Sequence, residues 1–216
     1  MSTRNTKTDT RPRRRLTAEA RREVIEQAAT EVFAERGYRG ASIDEIARRA
    51  GVSPPVLYDH FASKVDLYRH LLERTRDELL ETWREHLFGD ERAEVRVPRA
   101  LEAWARYVEQ HRQATRMFFR EATGDPGAEA AHREIQAQAR VALGVVLARE
   151  PGAENLAGSA DQEALEMAAE IVRSGLTGLA LWWHEHPHVP RQQIVSTAVN
   201  VLWTGFDRVR NDERGR

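Results

Sequence analysis

Cysteine is absent from this chain of 216 residues. Without thiols the protein has no disulfide, no thiolate nucleophile and no cysteine-ligated metal. No apolar run approaches the roughly 18 residues that a membrane-spanning helix needs. The charged N-terminal residues also lack the apolar segment of a secretory signal. These absences predict a cytoplasmic protein that is not inserted in a membrane.

Motifs of catalysis are equally scarce. The chain has no nucleophile elbow, phosphate-binding loop or HExxH sequence, and its carboxylates follow ordinary helix-surface patterns. The net charge of −1 indicates no particular partner. His184, His186 and His188 have the chemistry of metal ligands, but Pro187 interrupts the helix that would bring two of them to one face. We expect no enzymatic activity and no cofactor, and a metal site there is the less favoured interpretation.

Helical periodicity covers most of the chain, and no segment alternates like a β-strand. Glycine and proline clusters at residues 89–90, 124–127 and 151–152 separate the helical segments. We therefore predict an all-α fold of about nine helices. Their expected ranges are 17–36, 42–50, 53–60, 64–87, 95–112, 114–122, 127–149, 162–186 and 190–210.

Two short helices joined by a tight turn are encoded between Ser42 and Lys64. Ser42 is a suitable N-cap for the first helix, because its hydroxyl can accept a hydrogen bond from a free backbone N–H. Gly51 suits the residue after that helix, where a positive φ is common. Ser53 and Pro54 then form a second helix start. The pattern is typical of a helix-turn-helix, whose second helix lies in the major groove of DNA.

The stretch from Ala28 to Leu67, AATEVFAERGYRGASIDEIARRAGVSPPVLYDHFASKVDL, resembles the N-terminal domain of the TetR family of transcriptional regulators. The family pattern is present without a gap, at Phe33, Gly37, Tyr38, Ser42, residues 46–47, residues 51–53, residues 57–58, Phe61 and Lys64. The resemblance implies a three-helix DNA-binding domain and a homodimer on a near-palindromic, double-stranded DNA operator. It also implies a repressor that a small-molecule effector releases.

The resemblance assigns DNA contacts to matching positions. Ser42 would cap its helix and touch a phosphate, and Lys64 would pair with a phosphate from the next helix. The recognition helix would contribute Ser53, Pro54, Pro55, Val56, Tyr58, Asp59 and His60. Val56 stands where many relatives have Thr or Ser and offers methyl groups to a thymine methyl. Asp59 either accepts from a cytosine amino group or lies off the interface, Tyr58 either binds DNA or packs, and the two prolines alternatively only fix the helix start.

Positive charge lies ahead of the helix-turn-helix rather than within it. Residues 1–15 hold six basic side chains and one acidic side chain, whereas residues 16–64 carry a net charge of −1. This composition predicts a basic arm, disordered on its own, in which Arg13, Arg14 and Arg15 enter a minor groove or follow phosphates. A solubilising tail is the alternative. The expected parts are the arm at 1–15, the helix-turn-helix domain at 16–63 and an effector-binding and dimerisation domain at 64–216.

Apolar residues in the last two long helices follow heptad spacing. The stripes are wider than one intrachain contact needs, which favours a four-helix bundle between two subunits. The predicted interface consists of Leu165, Ala169, Val172, Leu176, Leu179, Trp183, Val195, Val199, Leu202 and Phe206. Packing within one chain is the alternative.

Aromatic and soft apolar residues of the middle helices predict a pocket for a largely apolar or aromatic effector. The candidates are Trp83, Trp104, Tyr107, Val108, Met117, Phe118, Phe119, Ile135, Leu143 and Met167. Polar residues nearby, among them Arg140, have no pattern that singles one out. If these residues only form a core, the chain is a ligand-independent regulator or an activator, and a helical enzyme is the least favoured class. We expect an effector to act by moving the helix that begins at Lys64, because operator binding requires a fixed spacing of the recognition helices.

Overall fold

A computed structural model describes residues 17–87, 91–148 and 162–203. These residues form nine α-helices and no strand, which confirms the predicted fold class. The helices are α1 (Ala18–Gly40), α2 (Ile43–Ala50), α3 (Pro54–Tyr58), α4 (Lys64–Leu87), α5 (Ala93–Gln110), α6 (Arg112–Phe119), α7 (Pro126–Leu147), α8 (Gln162–Glu185) and α9 (Arg191–Ala198), followed by a π-helical turn at Val199–Trp203. In the described part of the chain, no helix is both long and apolar enough to cross a membrane.

The predicted capping residues begin and end α2. The Ser42 hydroxyl accepts a hydrogen bond from the Glu45 N–H at 3.2 Å. Gly51 ends the helix with a φ of 68° and a ψ of 29°, a left-handed conformation that costs glycine little. Helix α3 begins with Pro54 as predicted but ends at Tyr58, two residues early. It ends there because the His60 N–H bonds to the Leu57 carbonyl, three residues back, and closes a tight turn.

Helix α1 continues beyond its predicted end at residue 36 because the chain bends there without stopping. Gly37 has a φ of 69° and a ψ of 174°, so it interrupts the helical geometry. Only glycine adopts this region of backbone conformation without strain. The bend turns Tyr38 into the core, where it is buried.

A single hydrophobic core connects the helix-turn-helix to the downstream helices. Helix α1 packs against α2, α4 and α6, while α4 packs against α5 and α7, and α8 packs against α6 and α7. The predicted boundary between residues 63 and 64 therefore falls at the start of a helix that contacts both sides. Helix α4 and the packing of α1 against α6 both connect the two predicted domains.

Candidate functional site

Helix α3 presents a small polar surface. Ser53, Pro55, Tyr58 and Asp59 are exposed, with Tyr58 52% exposed, whereas Leu57 is buried. The Ser53 hydroxyl makes no capping hydrogen bond. A hydroxyl, a pyrrolidine ring, a phenol and a carboxylate are therefore available on one short surface. These are four of the predicted DNA contacts, and their contact with DNA stays a prediction.

Helix α1 contacts the residues that directly follow α3. Pro54, Val56 and His60 are half-buried. Arg22 of α1 donates from Nη1 to the His60 carbonyl at 3.5 Å, and its guanidinium carbon lies 4.4 Å from the centre of the Phe61 ring. Contact of His60 with a phosphate remains a prediction, as does contact of Arg13, Arg14 and Arg15, which lie outside the described residues.

The Lys64 ammonium is directed into the protein. Its Nζ donates to the carbonyls of Tyr38 and Ala41, each at 2.9 Å, and lies 4.2 Å from the centre of the Tyr38 ring. Burial lowers the pKa of Lys64, and the nearby Asp125 carboxylate opposes that shift. Lys64 thus fixes the end of α1 just before Ser42, a role that the sequence analysis missed. The predicted phosphate contact is untested.

Ion pairs occupy several basic side chains of the DNA-binding region. Arg49 donates two hydrogen bonds of 2.8 Å to the Glu35 carboxylate, and Arg36 pairs with Glu45 at 2.8 Å. Arg48 is exposed on α2 and pairs with no other described residue. The first helix of a helix-turn-helix crosses the DNA backbone. Arg48 is therefore a candidate phosphate contact that its position in α2 could have indicated.

Four of the predicted effector-binding residues line a cavity of about 50 Å³ between α4, α5, α6, α7 and α8. They are Trp83, Trp104, Phe118 and Phe119. Tyr107, Val108, Met117, Ile135 and Leu143 are buried in the core. Met167 lines neither this cavity nor the core, since its side chain is 62% exposed on α8, and its contact with an effector stays a prediction.

A larger cleft of about 820 Å³ lies beside this cavity, between α7, α8 and the loop that joins α6 to α7. The cleft and the cavity share Phe119, Gln136, Arg173 and Thr177. The other polar and charged residues of the cleft are Glu121, Thr123, Glu129, His132, Arg133, Arg140, Glu170 and Ser174. No sequence pattern singles out any of these residues.

Arg173 and Arg140 differ in the hydrogen bonds that they make within the cleft. Arg173 donates to both Glu170 oxygens, at 2.9 and 2.5 Å, and to the Gln136 oxygen at 3.1 Å. This bonding lowers the pKa of Glu170 to about 2. The Nε of Arg140 is buried without a hydrogen-bond partner among the described residues. Arg140 therefore has an unused donor for an anion, while Arg133, the third arginine of the cleft, is 71% exposed and pairs with Glu129 only at 3.8 Å.

The predicted dimer stripe faces the core of its own chain. Ala169, Leu176 and Trp183 are at most 4% exposed, so they offer no surface to a partner. Val172, Leu179, Val195 and Val199 also pack against this core, and Leu165 is half-buried. For Ala169, Leu176 and Trp183 the interface assignment is corrected, because heptad spacing identifies an apolar stripe but not the surface that covers it. For the half-buried residues it stays a prediction. Phe206 and the side chain of Leu202 lie outside the described residues.

The opposite face of α8 is an apolar surface that the described residues leave uncovered. Met167, Ile171 and Trp182 are exposed large apolar residues on this helix. Gly178 lies on the same face, and no side chain or backbone atom lies within 4 Å of the position that a Cβ would take there. The sequence signal for this face was the helical spacing of 167, 171, 178 and 182, adjacent to the stripe that was predicted.

His184 belongs to the packing between α6 and α8. Its Nε2 lies 3.2 Å from the Thr115 hydroxyl, and burial lowers its pKa to about 4. The His186 ring instead stacks on Trp182, with centres 4.0 Å apart. Among the described residues, no group of three or more metal-ligating side chains comes together.

A helix-turn-helix joined to a helical core is the architecture of a DNA-binding regulator. The family model for "Bacterial regulatory proteins, tetR family" matches residues 25–71. Over 196 residues the chain is 32% identical to the transcriptional activator FasR of Mycolicibacterium smegmatis, an alignment that covers 90% of this chain and 87% of FasR. The protein therefore belongs to the TetR family and is a DNA-binding transcriptional regulator, not an enzyme.

Solved structures show the same fold. A TetR-like regulator from Rhodococcus sp. RHA1 superposes with a TM-score of 0.72 at 23% identity, over 89% of this chain and 99% of that protein. The regulator FadR from Bacillus subtilis, in complex with stearoyl-CoA, superposes with a TM-score of 0.65 at 18% identity, over 83% of this chain and 95% of FadR.

Proposed function

We propose that this protein is a homodimeric regulator that changes its operator affinity when an amphipathic anion occupies the cleft and the adjoining cavity. The observation that carries this proposal is the shared wall of the two spaces, formed by Phe119, Gln136, Arg173 and Thr177. One molecule can therefore extend from a polar opening to an aromatic interior. The protein acts where bacterial DNA lies, in the cytoplasm.

The sizes of the two spaces favour a polar head in the cleft and an apolar tail in the cavity. Small-molecule sites have volumes of about 300–1,000 Å³. The cleft, at about 820 Å³, lies in this range, whereas the cavity of about 50 Å³ does not. A tail must therefore displace Phe119, which is half-buried between the two spaces. The unpartnered Arg140 Nε favours a carboxylate or phosphate in the head.

Stearoyl-CoA is a suitable probe, because it combines an acyl tail with an anionic head and is the molecule bound to FadR of Bacillus subtilis. The operator should first be selected from a random DNA pool, and its affinity should then be measured with and without the probe. We expect stearoyl-CoA to weaken operator binding, and CoA without the acyl chain to have little effect. Stearate separates the contribution of the carboxylate head from that of the nucleotide.

An Arg140→Gln variant tests the head-group position. We expect its Kd for the probe to rise about tenfold, the effect of losing one charge-assisted contact. Arg106→Gln is the matched control, because Arg106 is exposed on α5 and pairs with Glu102, outside the cleft. Failure of the probe to bind, or equal affinities of the two variants, would contradict this ligand assignment.

The exposed face of α8 supports a dimer in which two copies of this helix pack together. Ile171 is 69% exposed and forms an apolar patch with Met167 and Trp182, and such patches often mark interaction sites. Ile171→Glu should convert dimers to monomers in sedimentation at micromolar concentration and weaken operator binding. Val95→Glu places the same charge on an exposed valine of α5 and should leave the dimer intact. A wild-type protein that sediments only as a monomer would contradict the proposal.

Activation of transcription is a second candidate, beside the repression that the sequence analysis favoured. FasR, which aligns with 90% of this chain, is an activator. A reporter gene fused to the selected operator and its promoter, measured with and without the regulator gene, distinguishes the two. Loss of the regulator lowers expression if it activates and raises expression if it represses.

A further inference from the structure

One wall of the cleft is joined to α4 by a buried hydrogen bond. His132 of α7 lines the cleft and is otherwise buried, and its Nδ1 lies 3.2 Å from the Tyr68 hydroxyl of α4. Burial lowers the pKa of His132 and raises the pKa of Tyr68. At neutral pH the phenol therefore keeps its proton and the imidazole is uncharged, and the tautomer of His132 decides which of the two groups donates the hydrogen bond. Any movement of the His132 ring acts directly on the Tyr68 hydroxyl.

The Tyr68 ring in turn is fixed against α1. Its centre lies 5.1 Å from the centres of both the Phe33 and the Tyr38 rings, which are themselves 5.9 Å apart. All three rings are buried. Protein interiors are close-packed, so a shift of one ring displaces its neighbours. Tyr68 therefore cannot move without acting on the segment of α1 that follows the bend at Gly37.

Tyr38 leads on to the start of the helix-turn-helix. Lys64 lies over its ring and holds the Tyr38 and Ala41 carbonyls together. Ala41 directly precedes Ser42, the N-cap of α2. The side chains of His132, Tyr68, Tyr38 and Lys64, which we call the buried column, thus run from the cleft to the first residue of the DNA-binding motif.

The loop between α6 and α7 makes a second connection in the same direction. Glu121 and Thr123 of this loop line the cleft. A few residues later, the position of a Cβ on Gly127 would lie 3.6 Å from the Val65 side chain, in the first turn of α4. The start of α7, which directly follows the loop that lines the cleft, thus lies close to the turn that contains Lys64.

We propose that the buried column transmits occupancy of the cleft to the helix-turn-helix, with His132 as its sensor. This inference rests on the proposed function of the cleft as an effector site. A bound molecule that contacts or displaces His132 moves Tyr68, and Tyr68 moves the Tyr38–Lys64 pair that positions α2. Because coupling between two sites is reciprocal, operator binding must change the affinity of the cleft by the same factor.

The test is hydrogen–deuterium exchange of the full-length protein, measured on peptides that cover residues 38–46. Tyr68→Phe removes only the hydroxyl of the column and should accelerate exchange there about fivefold, the factor that one net hydrogen bond gives. Tyr107→Phe is the matched control, because Tyr107 is also buried and donates to α4, at Glu78 Oε2 with a distance of 2.5 Å. It lies off the column and should leave these peptides at the wild-type rate.

A second variant distinguishes transmission along the buried column from a general loss of packing in the protein. His132→Phe keeps a ring but loses the nitrogen that hydrogen-bonds to Tyr68, so it should accelerate exchange of the same peptides. The double variant should exchange no faster than either single variant, because both changes remove the same bond. The proposal is overturned if Tyr68→Phe leaves residues 38–46 unchanged, if Tyr107→Phe has the same effect, or if the two changes are additive.

Binding of stearoyl-CoA then distinguishes this proposal from the proposed function. If the probe binds the wild type, Tyr68→Phe should retain probe binding but reduce the change in operator Kd about fivefold. If the probe changes the operator Kd of Tyr68→Phe as much as that of the wild type, the buried column is not the route by which the cleft acts on the helix-turn-helix. If the probe does not bind but the exchange results hold, the ligand assignment fails and the column stands.

Discussion

Replacing Glu26 by glutamine should destabilise the protein by about 2–4 kcal/mol, because the Glu26 carboxylate holds α1 against α4. Glu26 is only 6% exposed. Its Oε1 accepts from Arg22 Nε at 3.0 Å and from His70 Nε2 at 2.8 Å, and its Oε2 accepts from Arg74. Three donors thus converge on one buried carboxylate.

The magnitude follows from what an amide in this place can still accept. Hydrogen bonds to charged groups contribute about 1.5–3 kcal/mol each. The glutamine side chain would keep one acceptor oxygen but would turn an N–H₂ group towards a donor, so at least one bond is lost and the rest weaken. The Arg22 and Arg74 side chains are 40% and 38% exposed, so water can partly satisfy them. Because of this exposure, we expect the loss in free energy of unfolding to be smaller than the sum of three such hydrogen bonds.

Glu35→Gln provides the matched control, since it makes the same change on the same helix. Glu35 also accepts two hydrogen bonds, from Arg49, but its side chain is 45% exposed. Exposed ion pairs contribute little in water. Urea unfolding at pH 7 and one fixed protein concentration measures both variants, because a dimer's stability depends on concentration. Equal losses of unfolding free energy in the two variants would refute the argument that the burial of Glu26 and the three donors around it decide the effect.

Three further outcomes are expected. Deletion of residues 1–15 should raise the operator Kd and flatten its dependence on salt, because fewer counterions are released; an unchanged slope would contradict a role of the arm in binding. Ser42→Ala should lower the free energy of unfolding by about 1 kcal/mol through loss of the N-cap, whereas Ser196→Ala in α9 controls for the substitution itself. The pKa of His184 is about 4, below its ordinary value of 6.5. Between these pH values the unfolded chain gains a proton that the folded chain does not, so wild type should lose more stability from pH 7 to 5 than His184→Asn; equal losses would contradict this.

The sequence predicted the helix-turn-helix well because its signals are local. Ser42 caps α2 and Gly51 ends it through contacts within a few residues, so they can be recognised without knowledge of the rest of the fold. The early end of α3 is a deviation of two residues in a short turn. The extension of α1 through Gly37 was missed because glycine can end a helix or bend it, and packing of Tyr38 decides between these.

Features that depend on surfaces far apart in sequence were predicted less well. The heptad stripe of α8 was real, but the sequence could not show that α6 and α7 cover Ala169 and Leu176. The cleft was missed because its residues come from three separate segments, the loop between α6 and α7, α7 (His132 and Arg140) and α8 (Arg173), and the sequence does not show that these segments meet. The role of Lys64 could not be predicted for the same reason. The sequence does not show whether a lysine at a helix start contacts a DNA phosphate or a carbonyl of its own chain.

The charge arrangement of the DNA-binding region has a consequence for how the protein can be switched. Arg22, Arg36 and Arg49 are paired with carboxylates, so they stabilise the fold more than they attract phosphates. A single helix-turn-helix with few free cations binds DNA weakly. High operator affinity then requires both subunits to engage half-sites at the same time. Under the proposed dimer and the proposed buried column, a small displacement of one α2–α3 pair through Tyr68 and Lys64 would remove most of the operator affinity.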